Sequence, residues 1–173
     1  MGKIIGQSVK RVEDRRFITG RGRYTDDIAL PRMTYASILR SPHAHARIKS
    51  IDLTPARSAP GVVAVFTGED FRAAGIVGVP CGWQVNFKSG DRMKEPPHPV
   101  LAVDKVRYVG DAVAVVIAET REQAKDAAEL VSIDYEVLDA VVDAARATQP
   151  GAPLVFDDVP NNTCFDWELG DKQ

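Results

Sequence analysis

The side chains best suited to chemistry are two histidines, His43 and His45, in an H-x-H arrangement. On a β-strand this spacing places both imidazoles on one face, where they could supply two ligands of a metal site. No third ligand follows nearby, although Cys81 and His98 lie in a long irregular segment further along. Because two ligands alone are a weak signal, we favour a turn at Pro42 and His43 with a structural hydrogen bond from His45.

The chain has two cysteines, Cys81 and Cys164, and neither belongs to a C-x-x-C pair. Two cysteines this far apart in sequence do not indicate a disulfide framework, so both are predicted to be free thiols. Cys81 is the better candidate nucleophile, but its sequence context, PCGW, contains no basic residue that would lower its pKa. A thiol enzyme based on Cys81 is therefore the least favoured of the functions considered.

Glycine and arginine alternate at residues 20–23, GRGR, which combines close backbone approach with positive charge. The run matches neither of the standard phosphate-binding loops, G-x-G-x-x-G and G-x-x-x-x-G-K-[ST], and it is predicted to be a turn with solvated arginines. The acid pairs Asp26-Asp27 and Asp157-Asp158 lack the apolar setting that would raise a carboxyl pKa for acid–base work. No catalytic, cofactor-binding or metal-binding residue is therefore predicted in this chain.

The elements that would position these side chains are best defined between residues 106 and 147. β-Branched and aromatic residues predict a buried strand from Val106 to Ile117, interrupted near Gly110 by a bulge. Thr120 and Gln123 form a T-x-x-Q capping box, which predicts a helix over 120–132 whose alanines face a sheet. A strand over 133–137 and a short helix near Val141 follow.

Shorter elements are predicted before this unit. Residues 33–39, 47–53 and 62–66 have strand patterns, and short helices are predicted to begin at Thr54-Pro55 and at Thr67. Residues 75–99 contain eight glycines and prolines and show no period, a composition typical of functional, docking or disordered loops. Residues 100–103 are predicted to resume the sheet, and the prolines after Ala147 predict an extended tail.

Composition fits one compact core without deciding its function: 173 residues, 45% hydrophobic, with a net charge of -2. No apolar run approaches the ~20 residues that would span a bilayer, and MGKIIGQSVKRVEDRR lacks the apolar centre of a secretion signal. A cytoplasmic protein without a membrane span is therefore expected.

Charge is distributed unevenly along the chain. Residues 1–23 contain seven basic and two acidic side chains, a local charge of +5, whereas residues 119–173 contain four basic and thirteen acidic ones, a local charge of -9. The basic arm could dock on the acidic end of its own chain or on an acidic partner. Nucleic acid is not expected as a partner, because only Phe17 and Tyr24 are available there to stack on bases.

Three segments carry a family resemblance: GQSVKRVEDRRFITGRGRYTDDI at residues 6–28, RSPHAHARIKSID at 40–52, and residues 106–147. In this order they resemble the opening domain of molybdenum hydroxylase large subunits, the family of xanthine dehydrogenase, aldehyde oxidase and aerobic carbon monoxide dehydrogenase. The resemblance extends from about residue 5 to about residue 170. It implies an α+β class and an α/β-hammerhead domain, with a mixed sheet, one main helix and long arms. SPHAHA resembles the family's turn between two hammerhead strands.

The resemblance also implies an organisation and a function. A basic N-terminal arm (1–24) precedes the hammerhead domain (25–148), and an extended tail (149–173) leads to molybdopterin domains downstream. The expected role is that of a structural and assembly domain in the large subunit of a molybdopterin-dependent oxidoreductase, which hydroxylates or oxidises a small substrate with water as the oxygen source.

The implied partners are the rest of the large subunit, an iron–sulfur subunit and an FAD subunit. No cofactor is expected within these residues, and the molybdopterin cofactor is implied only for the complete enzyme. The alternative is a stand-alone binding or scaffold protein that reuses the hammerhead fold, because fold does not determine function.

A partner surface is predicted on the basic arm and on the loop over residues 75–99. The arm has positive charge without a packing period, and the loop is expected to expose Trp83, Val85 and Phe87, because this segment cannot form its own core. Aromatic residues beside arginines are typical of interface centres. The predicted interface residues are Arg15, Arg16, Arg21, Arg23, Trp83 and Phe87.

The sequence makes a direct prediction about metal content. A purified polypeptide of residues 1–173 should contain no stoichiometric molybdenum or iron, because it lacks the clustered cysteines of iron–sulfur sites and, as the resemblance implies, the downstream molybdopterin domains. Elemental analysis of the purified protein measures this directly. One molybdenum or iron atom per chain would contradict the prediction.

Overall fold

The computed structural model describes residues 5–170. The chain divides into two compact units, with the boundary in sequence between Met33 and Thr34. The first unit contains a short helix, α1 (Asp14–Ile18), and a 3-10 turn (Thr25–Asp27). The sequence did not predict α1, because a helix of five residues is too short to show a 3.6-residue period. An ion pair three residues apart supports it, with Arg16 Nη2 lying 2.9 Å from Glu13 Oε1.

The described part of the second unit, residues 34–170, contains six strands and four helices. The strands are β1 (Tyr35–Arg40), β2 (Ala46–Asp52), β3 (Val62–Thr67), β4 (Lys105–Val106), β5 (Ala112–Ala118) and β6 (Ser132–Val137). The helices are α2 (Thr54–Arg57), α3 (Gly68–Ala73), α4 (Arg121–Glu129) and α5 (Ala144–Ala147), and a 3-10 turn covers Pro160–Asn162.

The strands form two three-stranded sheets, in the orders β1-β5-β3 and β4-β2-β6. Every strand pairing among residues 5–170 is antiparallel, whereas the sequence predicted a single mixed sheet. The expected long strand with a bulge near Gly110 is instead two strands, β4 and β5, which belong to different sheets. Gly110 has a φ of 92°, a left-handed conformation that suits the turn between them.

Helix α4 begins as the capping box predicts. The Thr120 hydroxyl accepts a hydrogen bond of 3.2 Å from the Gln123 amide, and the Gln123 side chain accepts one of 3.0 Å from the Thr120 amide. Ala124 and Ala127 are each 1% exposed and allow the helix to lie close to β1 and β5. The helix ends at Glu129, three residues earlier than predicted, because the chain enters β6 at Ser132.

The short helices α3 and α2 differ in how well their N-caps agree with the prediction. At α3 the predicted start at Thr67 is confirmed: Thr67 is the N-cap, and Asp70 Oδ2 accepts a hydrogen bond of 2.7 Å from its amide. At α2 the N-cap position belongs to Leu53 rather than to the predicted Thr54. The Asp52 carboxylate accepts a hydrogen bond from the Thr54 amide, and this bond lowers the pKa of Asp52.

Buried residues form two clusters. Leu53, Ala56, Val65, Val116 and Ala127 pack between α4 and the first sheet, and Ala46, Ala102, Val106 and Val113 pack beside the second. Residues 100–103, predicted as a strand, lie outside the strands although Leu101 and Ala102 are buried. Their position depends on close packing with α3, because a Cβ at Gly68 would lie 2.4 Å from the Ala102 carbonyl oxygen.

The capping box of α4 should be measurable in the stability of the protein. We expect Thr120→Ala to lower the free energy of unfolding by about 1 kcal/mol, because the Gln123 amide loses its acceptor. Thr120→Ser keeps the hydroxyl and is the matched control, with a smaller expected change. Urea unfolding followed by circular dichroism would show the difference, and equal losses for the two variants would contradict the role of the hydroxyl.

Candidate interaction surface

The segment predicted to be irregular contains neither a helix nor a strand between residues 75 and 104, apart from a single bridge of Asn86 with Arg92. It is nevertheless folded into a short hairpin over residues 85–93. The Met93 amide donates a hydrogen bond of 3.2 Å to the Val85 carbonyl, and the Phe87 amide donates one of 2.8 Å to the Asp91 carbonyl.

The tail lies along this hairpin. The Lys94 amide donates a hydrogen bond of 2.8 Å to the Cys164 carbonyl, and the Lys88 amide donates one of 3.0 Å to the Asp166 carbonyl. The Trp167 ring meets the Trp83 ring edge to face, with centroids 5.1 Å apart. We call residues 77–98 together with 164–169 the loop–tail surface.

This surface contains both aromatic residues of the loop that the sequence proposed for an interface. Trp83 is 67% exposed, which agrees with the expectation that the loop exposes it. The expectation that Val85 and Phe87 are exposed is wrong, because both are half-buried in the hairpin. The Val85 amide donates to the Met93 sulfur at 3.3 Å, which keeps this part of the hairpin closed.

An apolar groove of about 630 Å³ separates the loop from the tail, and both cysteines line it. They are free thiols, as predicted, with Cys81 exposed and Cys164 half-buried. Burial, together with the charge of Asp158, raises the pKa of the Cys164 thiol and favours its neutral form. The Cys81 thiol donates to the Trp83 carbonyl at 2.9 Å.

A buried lysine holds the middle of the tail. The Lys105 side chain is 4% exposed, and its Nζ lies 3.1 Å from each carboxylate oxygen of Asp157, whose side chain is 78% exposed. The hydrogen bond and the charge of Lys105 hold the pKa of Asp157 below its ordinary value. Asp157 therefore has a structural ion pair, which sequence reasoning missed. No local pattern marked this pair, because Lys105 stands between Asp104 and Val106 at the very start of β4.

Further contacts fix the tail on both sides of this ion pair. The Arg107 guanidinium lies 4.6 Å from the centre of the Phe156 ring and donates to the Lys105 carbonyl at 3.0 Å. The Asn162 side chain donates to the carbonyls of Ala147 and Pro153 at 2.9 and 3.0 Å and accepts from the Val155 amide. The tail expected to be extended is therefore folded against its own unit.

The two histidines take the structural role that the sequence favoured. His45 is 8% exposed, and its Nδ1 donates to the Asp139 carbonyl at 2.8 Å. The His43 ring meets the Tyr135 ring edge to face at 5.0 Å. His98 lies instead beside Phe156, with ring centroids 6.3 Å apart. Across residues 5–170, no three His, Cys, Asp or Glu side chains lie together as metal ligands would.

The N-terminal unit presents the four predicted arginines, Arg15, Arg16, Arg21 and Arg23, all of them exposed. Phe17 and Tyr24 stack on each other with centroids 5.4 Å apart. The GRGR run turns as predicted, with Gly20 at a φ of 67°. Gly22 lies against Phe17, since a Cβ there would be 2.4 Å from the ring. The Asp27 carboxylate accepts a hydrogen bond of 2.9 Å from the Tyr24 amide and so closes the 3-10 turn at Thr25–Asp27.

Comparison with known proteins identifies the class of this fold. A family described as aldehyde oxidase and xanthine dehydrogenase, a/b hammerhead domain, matches residues 19–139. This match confirms the α/β-hammerhead fold predicted from the sequence. The chain therefore belongs to the aldehyde oxidase and xanthine dehydrogenase family.

Individual relatives agree. The carbon monoxide dehydrogenase large chain of Afipia carboxidovorans is 41% identical over an alignment of 181 residues, which covers 98% of this chain and 21% of the relative. The nicotine 6-hydroxylase large subunit of Paenarthrobacter nicotinovorans is 40% identical over 161 residues, which cover 92% and 19%. The crystal structure of the Cu,Mo-CO dehydrogenase superposes with a TM-score of 0.73 at 41% identity, covering 92% of this chain and 19% of that one.

The chain thus spans about a fifth of the length of the relatives it matches. In the part that the structure describes, none of the helices is both long and apolar enough to cross a membrane.

The ion pair of Lys105 with Asp157 gives a stability prediction. Asp157→Ala should lower the free energy of unfolding by about 1–3 kcal/mol, because it leaves a buried ammonium without its partner. Adding Lys105→Met should recover part of that loss. Asp134→Ala is the matched control, since its pair with Lys49 is 58% and 60% exposed and should change stability by less than about 0.5 kcal/mol.

Urea unfolding at neutral and acid pH would measure both effects. Because the folded pKa of Asp157 is lowered, its contribution is fully present above the ordinary carboxyl pKa and is lost as the pH falls through the lower folded value. Equal losses in the free energy of unfolding for Asp157→Ala and Asp134→Ala would show that the buried pair stabilises the protein no more than the exposed one.

Proposed function

We propose that this chain is the structural and assembly domain at the start of the large subunit of a molybdopterin-dependent oxidoreductase. Membership of the family carries the proposal, because the relatives include large chains and subunits about five times as long. The complete enzyme would hydroxylate or oxidise a small substrate with water as the oxygen source. The relatives differ in the substrates that their names give, carbon monoxide and nicotine among them.

The described residues do not supply a ligand set for a metal, since no His, Cys, Asp or Glu cluster is arranged for one between residues 5 and 170. No reaction step is therefore assigned to them. A molybdopterin cofactor is proposed for the complete enzyme, with iron–sulfur and FAD groups in partner subunits. The Cu,Mo-CO dehydrogenase supports the molybdenum part of this proposal.

The proposed partners are the rest of the large subunit, an iron–sulfur subunit and an FAD subunit. The loop–tail surface supports this assembly role, because several of its large apolar side chains are exposed together, as is typical of surfaces that bind another protein or domain. Those side chains are Val77 at 82%, Val79 at 73%, Trp83 at 67% and Leu169 at 90%. Nucleic acid is not a proposed partner, and the Phe17–Tyr24 stack occupies the aromatic rings of the basic arm with each other.

Two predictions from the sequence are part of this proposal. The chain is divided into an arm (1–24), a hammerhead domain (25–148) and a tail (149–173), and the protein is located in the cytoplasm.

The alternative function, a stand-alone binding or scaffold protein, differs in one simple observable. Intact mass spectrometry of the natural protein would give a mass several times the 18.8 kDa of these residues for a large subunit. A mass near 18.8 kDa would favour the alternative.

The interface prediction tests the role directly. We expect Trp83→Ala to weaken association of residues 1–173 with the rest of the subunit or with the iron–sulfur subunit by about 2 kcal/mol, roughly a 30-fold rise in Kd. Leu130→Ala is the matched control, because Leu130 is also an exposed apolar residue, at 46%, outside the loop–tail surface. Titration calorimetry would measure both.

Amide hydrogen exchange provides the second measurement. The arm around Arg15, Arg16, Arg21 and Arg23 and the loop around Trp83 and Phe87 should exchange quickly alone and become protected in the complex. Protection of both segments equal to that of α4 in the free polypeptide would place the interface elsewhere. The loop can fail this test independently of the arm, since the hairpin already holds Phe87 half-buried.

A further inference from the structure

The sheet β1-β5-β3 has one face packed under α4 and a second face of a different kind. Antiparallel register places Ile38, Val115 and Phe66 in one row across the three strands. Ala36, Ile117 and Ala64 form the neighbouring row. Directly paired residues point to the same side of a sheet. All six residues are apolar, and we call this set the open face.

Exposure distinguishes the two sides. On the side of α4, Val65 is 4% exposed and Val116 is fully buried. On the open face, Ile38 is 48% and Phe66 37% exposed, and the central Val115 is only half-buried. The ring of Phe71 touches the edge of this face, meeting the Phe66 ring at 6.3 Å.

This pattern differs from that of a sheet with one solvated face. Such antiparallel strands alternate apolar and polar side chains, whereas strands covered on both faces are apolar at successive positions. Strand β5 has the sequence AVAVVIA without a polar residue, and its neighbours Ile38 and Phe66 continue the apolar row. The residues are those of a sheet that is packed on both sides.

We propose that the open face is covered in the natural protein by a segment of the same polypeptide that lies outside residues 1–173 and presents an uncharged, apolar surface. This inference rests on the proposed function, in which the large subunit continues beyond these residues. Homologous large chains leave about four fifths of their length outside the matched region, so they contain ample chain to supply the cover.

The size of the face favours a tethered occupant over a second copy of the chain. Six partly exposed side chains give a patch on the order of a few hundred Å², whereas a stable contact between separate proteins buries about 800 Å² on each partner. A segment of the same polypeptide binds intramolecularly at a high effective concentration, so a small apolar face is sufficient to hold it.

Cysteine labelling in the natural protein tests this inference. Ile38→Cys and Phe66→Cys would each be reacted with a maleimide under native conditions and, for normalisation, after denaturation. Leu130→Cys is the matched control, because Leu130 has almost the same exposure, 46%, and follows α4 on the opposite side of the sheet. Mass spectrometry of the peptides that contain the substituted positions separates them from other thiols, including Cys81.

We expect positions 38 and 66 to react at least tenfold more slowly than position 130 in the native protein. Equal native rates at the three positions, in a protein shown by intact mass to extend well beyond residue 173, would overturn this inference alone. Slow labelling that becomes fast on dilution to the monomer would assign the cover to a second copy and also overturn it. A natural mass near 18.8 kDa would overturn the proposed function together with this inference.

Discussion

The arrangement of the second unit depends on the need to neutralise one buried charge. Removing an ammonium group from water costs several kcal/mol unless a counter-charge and hydrogen bonds replace the solvent. Lys105 is buried at the point where β4 pairs with β2, and its acidic partner, Asp157, comes from the tail 52 residues later. The tail must therefore return across β4 for the strand to be stable.

Several neighbouring contacts follow from that return. Once Asp157 is in place, Phe156 lies under the Arg107 guanidinium and Asn162 can bridge the carbonyls of Ala147 and Pro153. The chain then leads on to Cys164, where it meets the hairpin of the loop and closes one side of the groove. A loop that has no periodic core of its own is thus given a fixed shape by a distant ion pair.

The sequence correctly predicted the structural features that depend only on residues a few positions apart. The capping boxes at Thr120 and Thr67 and the alternation in β2 are decided within a few positions, so they could be recognised without the fold. The division into two sheets and the return of the tail depend on pairings between residues 47 or more apart in sequence, which a local period does not reveal. Gly110 illustrates the limit: its turn was visible, but the change of sheet that it allows was not.

The candidate surface likewise combines a feature that the local sequence predicted with features that it did not. An exposed Trp83 followed from the composition of the loop, whereas the burial of Val85 and Phe87 depends on a hairpin bridge that no local pattern announces. The family resemblance supplied what local reasoning could not, namely the hammerhead fold. Lys105 gave no local signal of its burial, because it stands between Asp104 and Val106, a context in which a lysine is usually exposed.

The order of strands in the first sheet has a consequence for synthesis of the protein on the ribosome. The central strand β5 pairs with both β1 and β3 but is the last of the three to be made, since Ala112 follows Thr67 by 45 residues. At about 5–20 residues per second, β3 waits roughly 2–9 s for its partner after it has been translated. During that interval the apolar strands have no native neighbour, so a chaperone that shields short β-segments would act on this window of translation.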